Sequence, residues 1–197
     1  MSAREDILAA IRAKRPPGVH ELPQVPVFNI PAPEGNLALF KKSLLAMGGR
    51  VLEPAPGQDV PAALRDHLAS AKNICSAAPE VAGNRDLASV SQPKELADVD
   101  VAVARAVLGV AETGSVLFTE AELVVNTLAY LAQHLVVLLD PKDIVPGLQA
   151  AYARSEFHQA HYAVFHTGPS ATGDIEGVLI HGAQGVRSLT VVFLPRA

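Results

Sequence analysis

The chain has 197 residues, of which 49% are hydrophobic and 18% charged, so it can bury a real core as one domain and is not a disordered chain. The formal net charge is −4 and no long Lys/Arg run occurs, which argues against nucleic acid as the main partner. No stretch of about 18 apolar residues is present, so the sequence predicts no membrane span. The charged N-terminus lacks an apolar signal core, and we expect a cytoplasmic protein.

Residues 1–35 are expected to form an N-terminal helix followed by a proline-rich arm. Ser2 can cap the helix with Glu5 three residues later, and Ile7 and Ile11 share one face. Six prolines in the following segment each fix φ and remove a backbone donor, which predicts an extended arm. The sequence leaves open whether the helix packs loosely or onto another subunit, or whether it packs on the core of its own chain.

Residues 36–197 are expected to form one α/β domain that begins with alternating helices and strands. The elements predicted first are a helix at 37–47, a strand at 50–53, a helix at 60–70 and a strand at 73–78. This order is typical of a parallel sheet with crossover helices.

The second half of the domain contains a predicted hairpin. The β-rich runs at 98–111 and 115–118 surround the short turn Glu112-Thr113-Gly114, which predicts two antiparallel strands. The elements predicted after it are a helix at 121–133, a strand at 135–139, a helix at 143–154 and strands at 163–166 and 189–194. The expected fold class is therefore α/β, with a mostly parallel sheet, flanking helices and an antiparallel hairpin portion.

The loop at 168–176 has the composition of a ligand-binding loop at a strand end. Gly168 permits unusual φ values, and Ser170 and Thr172 offer hydroxyl groups. If Asp174 opens a helical turn, the backbone N–H groups there suit a phosphate or carboxylate; otherwise Ser170 or Thr172 merely caps that turn. The loop lacks the GxxxxGK[ST] pattern and is not a P-loop.

Three further side chains are candidates for the same pocket. Glu112, at the hairpin tip, is either a general base, a nucleophile or a hydrogen-bond acceptor, or it is simply a solvated carboxylate. His166 borders the loop and is a pocket candidate. Arg187 can hold an anion bidentately, or it is a surface residue before a strand.

Metal and cluster chemistry have little support in the sequence. His158 and His161 are three residues apart, but no third ligand follows in a recognisable pattern, so no metal site is predicted. The single cysteine, Cys75, excludes an internal disulfide and a cysteine-ligated iron–sulfur cluster held by this chain alone. Cys75 is most simply a buried apolar residue.

The segments Ala-Glu-Thr-Gly at 111–114 and Gly-Pro-Ser-Ala-Thr-Gly-Asp-Ile-Glu at 168–176 together resemble the signature of the lactate-utilization protein C family, also called the LUD or YkgG-like domain family. The order and spacing of the two motifs agree with the family, and the resemblance covers roughly residues 37–194. The chain departs from the family pattern at Gly173, where Ala is usual, at Gln184, where a turn His is usual, and at Val186, where Pro is usual. The resemblance therefore indicates a divergent member.

The resemblance implies a fold of the NagB/RpiA/CoA-transferase-like type. It also implies a part in the oxidation of L-lactate to pyruvate with iron–sulfur partner subunits, which fits a chain with one cysteine. A small anionic metabolite or cofactor, whose identity stays unknown, is expected between the two motifs. Glu112 is the catalytic candidate, and the ligand-binding candidates are Thr113, Gly114, His166, Gly168, Ser170, Thr172, Asp174 and Arg187.

Two other functions stay open, and the sequence does not decide whether the chain is an enzyme. One is a stand-alone transferase or ligase that acts on an acyl-CoA or a phosphorylated metabolite through Glu112. CoA transferases of the wider fold class use a Glu in a short loop of similar type, so this is analogy at the level of the fold. The other is a non-catalytic regulatory domain, which the departures at Gln184 and Val186 favour.

Overall fold

The computed structural model describes residues 2–18, 21 and 23–196. Its α-helices are α1 Ala3–Ala13, α2 Asn36–Ala46, α3 Val60–Leu68, α4 Glu120–Leu123, α5 Leu128–Leu131, α6 Leu148–Tyr152 and α7 Ser155–Gln159. Its strands are β1 Arg50–Leu52, β2 Ile74–Ser76, β3 Val101–Arg105, β4 Leu108–Val110, β5 Ser115–Thr119, β6 His134–Leu139, β7 Ile144–Val145, β8 Ala163–His166, β9 Ala171–Thr172, β10 Ile180–His181 and β11 Ser188–Phe193. Within this described part, none of the helices combines the length and the apolar character that crossing a membrane requires.

The central sheet is parallel throughout and has the strand order β1-β11-β6-β3-β2. Its inner strands are buried on both faces. In β3, Ala102 and Ala104 face one apolar cluster, whereas Val101 and Val103 face another on the opposite side. Such two-sided burial requires continuous apolar strands, because successive side chains point to opposite faces. The predicted α/β class with a mostly parallel sheet is confirmed.

A second sheet, ordered β7-β4-β5-β8, carries the hairpin. Strands β4 and β5 are antiparallel and joined by residues 111–114, as the sequence predicts, and β5 continues antiparallel into β8. The predicted first arm of the hairpin was too long, because Val101–Arg105 belongs to the central sheet and only Leu108–Val110 pairs with β5. Both segments are buried and rich in valine, so their pattern does not tell one sheet from the other.

Two predicted helices differ from those in the structure. The helix predicted at 121–133 consists of α4 and α5, because Val124 adopts φ 60° and ψ −51° and ends α4. The helix predicted at 143–154 is wrong at its start. Ile144 and Val145 form β7 beside β4, and α6 begins only after Pro146 and Gly147. In both places a short apolar segment matches helical spacing by chance, and pairing with neighbouring strands or turns decides the structure.

The N-terminal helix α1 forms where the sequence predicts it. The Ser2 hydroxyl accepts a hydrogen bond from the Glu5 backbone N–H, and the Glu5 carboxylate accepts one from the Ser2 backbone N–H. No residue of α1 is buried, and Ile7 and Ile11 are about 60% exposed. Part of the predicted proline-rich arm, residues 19, 20 and 22, lies outside the described residues. The domain boundary at residue 36 stays a prediction.

Candidate functional site

The hairpin tip is held between helix α2 and the segment that follows β7. The backbone N–H groups of Ala111 and Glu112 donate to the carbonyls of Val145 and Pro146 at 2.9 and 3.0 Å. Gly114 adopts φ 69°, and a Cβ atom there would overlap the backbone nitrogen of Leu44 in α2. Only glycine combines this left-handed conformation with so close an approach. The glycine of the first motif therefore seats the tip on α2.

The glycine that opens the second motif packs on the same helix end. Gly168 follows β8, adopts φ 66°, and a Cβ atom there would overlap the carbonyl oxygen of Met47. Met47 caps α2, three residues beyond the Leu44 that Gly114 contacts. Helix α2 thus brings together two motifs that are more than 50 residues apart in the chain.

A chain of three hydroxyl groups joins the hairpin to the start of the second motif. The Thr113 and Ser115 hydroxyl oxygens lie 2.7 Å apart, and the Ser115 oxygen lies 2.6 Å from the Thr167 oxygen. Ser115 is only 3% exposed, so its hydroxyl is shielded from water and forms hydrogen bonds with the two threonine hydroxyls instead. Thr167 directly precedes Gly168. The first motif and the beginning of the second are therefore in contact.

The Glu112 carboxylate lies at the start of helix α6. Its Oε2 atom accepts a hydrogen bond from the Leu148 backbone N–H at 3.3 Å. A Cβ atom at Gly147 would lie 2.8 Å from the same oxygen, so the carboxylate approaches the backbone closely there. Glu112 is an exposed residue, and its carboxylate is available to a ligand from the solvent side.

The cavity beside the hairpin tip, called here the hairpin cavity, has a volume of about 670 Å³. It is bounded by α2, the hairpin tip, α6 and the end of β8. Its wall is mostly apolar, and Glu112 is the one charged side chain in it. The residues that line it are Ser43, Ala46, Met47, Glu112, Thr113, Ser115, Leu148, Tyr152, Phe165 and Thr167.

A second cavity of about 240 Å³ adjoins the hairpin cavity and is called here the loop cavity. It is bounded by α5, the end of β8, the start of the second motif and the turn before β11. The two cavities share Phe165 and Thr167. The residues that line it are Ala129, Tyr130, Phe165, His166, Thr167, Gly168, Pro169, Ser170, Gln184, Gly185 and Val186.

His166 is the distinctive side chain of the loop cavity. Its Nε2 atom is buried without a hydrogen-bond partner; the other such atoms in the described part of the chain belong to the Arg105–Glu80 ion pair. Its ring packs against Phe118 and Tyr130, with centroid distances of 5.7 and 4.9 Å. Burial lowers the pKa of His166 to about 4. The imidazole is therefore neutral near pH 7.

Tyr130 lines the loop cavity and is paired with Tyr162. The hydroxyl oxygens of Tyr130 and Tyr162 lie 2.6 Å apart. Burial and this hydrogen bond both raise the pKa of Tyr130, so its phenol stays protonated across the physiological range. Tyr130 therefore presents a neutral ring to His166.

The remaining predicted residues lie outside both cavities. Strands β9 and β10 form a small exposed hairpin, and residues 174–177 are a turn rather than a helix. The Thr172 hydroxyl accepts from the Asp174 backbone N–H at 3.2 Å and donates to the Asp174 carboxylate at 3.0 Å. This is the capping role that the sequence left open for Thr172. The helical N-terminus that would have suited an anion does not form there.

Arg187 is exposed and packs on the turn before β11. Its backbone N–H donates to the Gln133 carbonyl at 2.7 Å. Its Cγ atom packs so close to Gly182 that a Cβ atom added there would lie only 2.6 Å away. Its guanidinium lines neither cavity. Of the predicted site residues, Glu112 and Thr113 line the hairpin cavity, and His166, Gly168 and Ser170 line the loop cavity.

Sequence reasoning missed Ser115 and Thr167, whose hydroxyl groups join the hairpin to the start of the second motif. Ser115 lies two residues after Thr113, and a threonine hydroxyl in a turn can accept from the backbone N–H two residues later, as it does here at 3.4 Å. That spacing was a usable signal for Ser115. Thr167 carried no such signal, because its partner is 52 positions away in the chain.

Metal-binding groups are not assembled near these cavities. Among the described residues, no cluster of three or more His, Cys, Asp or Glu side chains is arranged to hold a metal ion. Cys75 is buried in the central sheet, and burial is the main cause that raises the pKa of its thiol. It behaves as an apolar core residue.

Comparison with known proteins relates the chain to one family. The family model of the LUD domain matches residues 67–194, well over half of the chain. The crystal structure of a DUF162 family protein from Deinococcus radiodurans is similar, with a TM-score of 0.60 and 16% sequence identity, over 80% of this chain and 95% of that chain. At this identity the likeness concerns the fold alone. No curated protein sequence matched the chain.

Proposed function

This chain belongs to the LUD domain family, and from that membership we propose that it is a non-cluster subunit in the oxidation of L-lactate to pyruvate. In this proposal, iron–sulfur partner subunits carry the electrons. The single cysteine supports this division, because a cysteine-ligated cluster needs several thiolates that this chain does not supply. The chain contributes a binding site for a small anionic ligand in the loop cavity, at the start of the second motif.

The observation that carries the ligand proposal is the side chain of His166, which lines the loop cavity and whose Nε2 atom is buried without a hydrogen-bond partner. A buried polar atom without a partner costs about 1–3 kcal/mol, so a ligand that satisfies it recovers that energy. A neutral imidazole nitrogen can accept a hydrogen bond from the hydroxyl of a 2-hydroxy acid. Ser170 and the Gln184 amide line the same cavity and can donate to the carboxylate.

The size of the loop cavity supports a ligand of a few carbons. Its volume of about 240 Å³ lies below the range of roughly 300–1,000 Å³ that is typical of sites for larger organic ligands. No Lys or Arg occurs among its lining residues, so neutral donors alone would hold the carboxylate. Without a cationic side chain the carboxylate forms no ion pair, and we therefore expect affinity in the millimolar range, about −4 kcal/mol.

The departure of Gln184 from the family pattern fits the same proposal. The family usually has a histidine in this turn, and Gln184 lines the loop cavity here. His166 faces the same cavity from strand β8 and supplies an imidazole. We propose that His166 takes the place of the missing turn histidine in ligand recognition.

The proposed association with iron–sulfur partner subunits is tested by isolating the tagged protein from its own host under mild, anaerobic conditions. The proposal predicts that cysteine-rich chains carrying iron and acid-labile sulfide co-purify with it. Isolation of the chain as a lone species under these conditions contradicts a cluster-bearing complex. Native mass spectrometry of the same sample reports bound small molecules and partners together.

The hairpin cavity favours one alternative, a transferase or ligase that uses Glu112. Its carboxylate is exposed in a cavity of about 670 Å³, which has room for an acyl group. In that case Glu112→Gln abolishes turnover of acyl-CoA or phosphorylated substrates without changing the unfolding transition. Unchanged turnover removes Glu112 from this role.

If no lactate-pathway metabolite, nucleotide or CoA ester shifts thermal unfolding, a regulatory domain is favoured instead.

A further inference from the structure

We propose that the hairpin cavity is a second binding site, for a flat, mostly apolar molecule that carries a neutral or cationic hydrogen-bond donor and no negative charge. This goes beyond the proposed function, which places the small anion in the loop cavity. The hairpin cavity, at about 670 Å³, is more than twice as large as the loop cavity. Its volume lies within the range of roughly 300–1,000 Å³ that is typical of sites for drug-sized ligands.

One wall of the hairpin cavity is formed by two aromatic rings, and a third aromatic ring packs against both of them. Tyr152 and Phe165 both line it, with ring centroids 5.7 Å apart and planes at 73°. Phe157 of α7 packs on both rings, at 4.8 Å from Tyr152 and 6.2 Å from Phe165. Because this second layer fixes the rings, little rotamer entropy is lost when a ligand packs on them.

Part of the apolar wall is open to water in the free protein. Tyr152 is 46% exposed and Met47 is 51% exposed, and both line the cavity. Covering this apolar surface removes it from water and favours binding. A flat apolar ligand gains the most, because it can lie against an aromatic ring and a flexible thioether together.

The polar end of the hairpin cavity sets the sign of the ligand's charge. Among the described residues, Glu112 is the one charged side chain in the lining, and the 3.3 Å hydrogen bond from Leu148 is the one that its Oε2 accepts. The Thr113 hydroxyl is beside it in the lining. No Lys or Arg lines the cavity to neutralise the carboxylate. An amine or hydroxyl donor is therefore favoured there, and a carboxylate is repelled.

The test uses three probes with the same ring: 2-naphthylmethylamine, 2-naphthol and 2-naphthoate. They are titrated calorimetrically into the whole chain near neutral pH. We expect the amine and the naphthol to bind at least tenfold more tightly than naphthoate. Glu112→Gln should bring the three affinities within about threefold of one another, since it removes the charge and keeps the shape. Glu34→Gln, an exposed glutamate outside the cavity, is the matched control and should leave the preference unchanged.

A second variant tests the location. Tyr152→Ala, at an exposed residue whose loss the fold should tolerate, is expected to weaken the amine and the naphthol about tenfold. The proposal is overturned if naphthoate binds as tightly as the other two probes, if none of them binds, or if Tyr152→Ala changes nothing. L-lactate is titrated into the same variants. Lactate binding that persists when the naphthalene probes fail leaves the proposed function intact, so the two failures are distinguishable.

Discussion

His166 combines features that protein cores seldom hold together: a titratable ring, a buried unpartnered nitrogen and a position on a cavity wall. A histidine placed only for packing normally finds a carbonyl or hydroxyl partner, because an unsatisfied buried nitrogen is costly. The buried, unpartnered Nε2 atom therefore supports a ligand role for His166.

The lowered pKa of His166 predicts acid sensitivity with a defined sign. Its folded-state pKa of about 4 lies below the unfolded value of about 6.5, so the unfolded chain binds the proton more readily. Stability associated with His166 should be fully present above about pH 6.5 and decline as the pH falls towards about 4, by at most about 3 kcal/mol.

The measurement is the urea unfolding free energy of the wild type, His166→Phe and the control His158→Gln across that pH range. His166→Phe keeps a ring against Phe118 and should lose most of the acid-dependent decline. His158 is exposed, and its variant should keep the decline. Identical pH profiles for the wild type and His166→Phe would show that the imidazole does not titrate in this way.

Gly168→Ala tests the close packing of the second motif on α2. The alanine Cβ would lie only 2.3 Å from the Met47 carbonyl oxygen, and φ at this residue is 66°. We expect a loss of about 3 kcal/mol or more, measured by urea denaturation. The matched control is Gly57→Ala, where φ is 79° but no atom lies within 4 Å of the new Cβ. It should cost only about 1 kcal/mol, and equal losses at both sites would contradict the packing argument.

At the scale of single elements, the buried runs were the most predictable part of the fold. Strands β6 and β11 are mostly apolar, and a sheet covered on both faces favours that composition. The hairpin could be predicted because Gly114 punctuates two β-rich runs. The late start of α6 could not, because it depends on the pairing of β7 with the distant strand β4. The break at Val124 could not, because valine rarely adopts a positive φ.

The break between α4 and α5 is a strained γ-turn. The Val125 N–H donates to the Leu123 carbonyl at 2.6 Å, across Val124 at φ 60°. This conformation is unfavourable for a β-branched residue, and the Val124 side chain is 56% exposed, so it gains little burial in return.

Val124→Gly should therefore stabilise the protein by about 1 kcal/mol, because the strain that it removes exceeds the entropic cost of glycine. The comparison variant is Val178→Gly, at a residue that is 61% exposed and has an ordinary φ. It should be neutral or destabilising. Thermal and urea unfolding measure both variants, and equal destabilisation of the two would rule out strain at Val124.

The hydroxyl chain between β5 and the end of β8 is the contact that joins the two motifs. Ser115→Ala removes the central hydroxyl and leaves those of Thr113 and Thr167 without their partner. We expect a loss of about 1–3 kcal/mol. In a double-mutant cycle, Thr167→Val should cost about 1 kcal/mol less in the Ser115→Ala background than in the wild type. Strict additivity of the two losses would indicate that the hydroxyls do not stabilise the contact.

For the whole molecule, the sequence motifs indicated which residues could form a site but not how that site is divided. Glu112, Thr113, His166 and Ser170 all line cavities, yet the cavities are distinct and share only Phe165 and Thr167. The separation into two cavities depends on the packing of Gly114 and Gly168 against α2. These contacts are distant in sequence, so no local sequence pattern predicts them. The positions of Asp174 and Arg187 outside the cavities follow from a turn and a strand start that composition alone does not place.

The central proposal is that the loop cavity holds a small 2-hydroxy acid against the neutral imidazole of His166. Long-range proton–nitrogen NMR spectra of the histidine rings test it most directly, during titration of the whole chain with L-lactate near neutral pH. The account predicts that the Nε2 resonance of His166 moves and saturates in the millimolar range, while the exposed His158 resonances stay fixed. If the His166 nitrogens do not respond at lactate concentrations far above this range, the loop cavity does not bind the ligand as proposed.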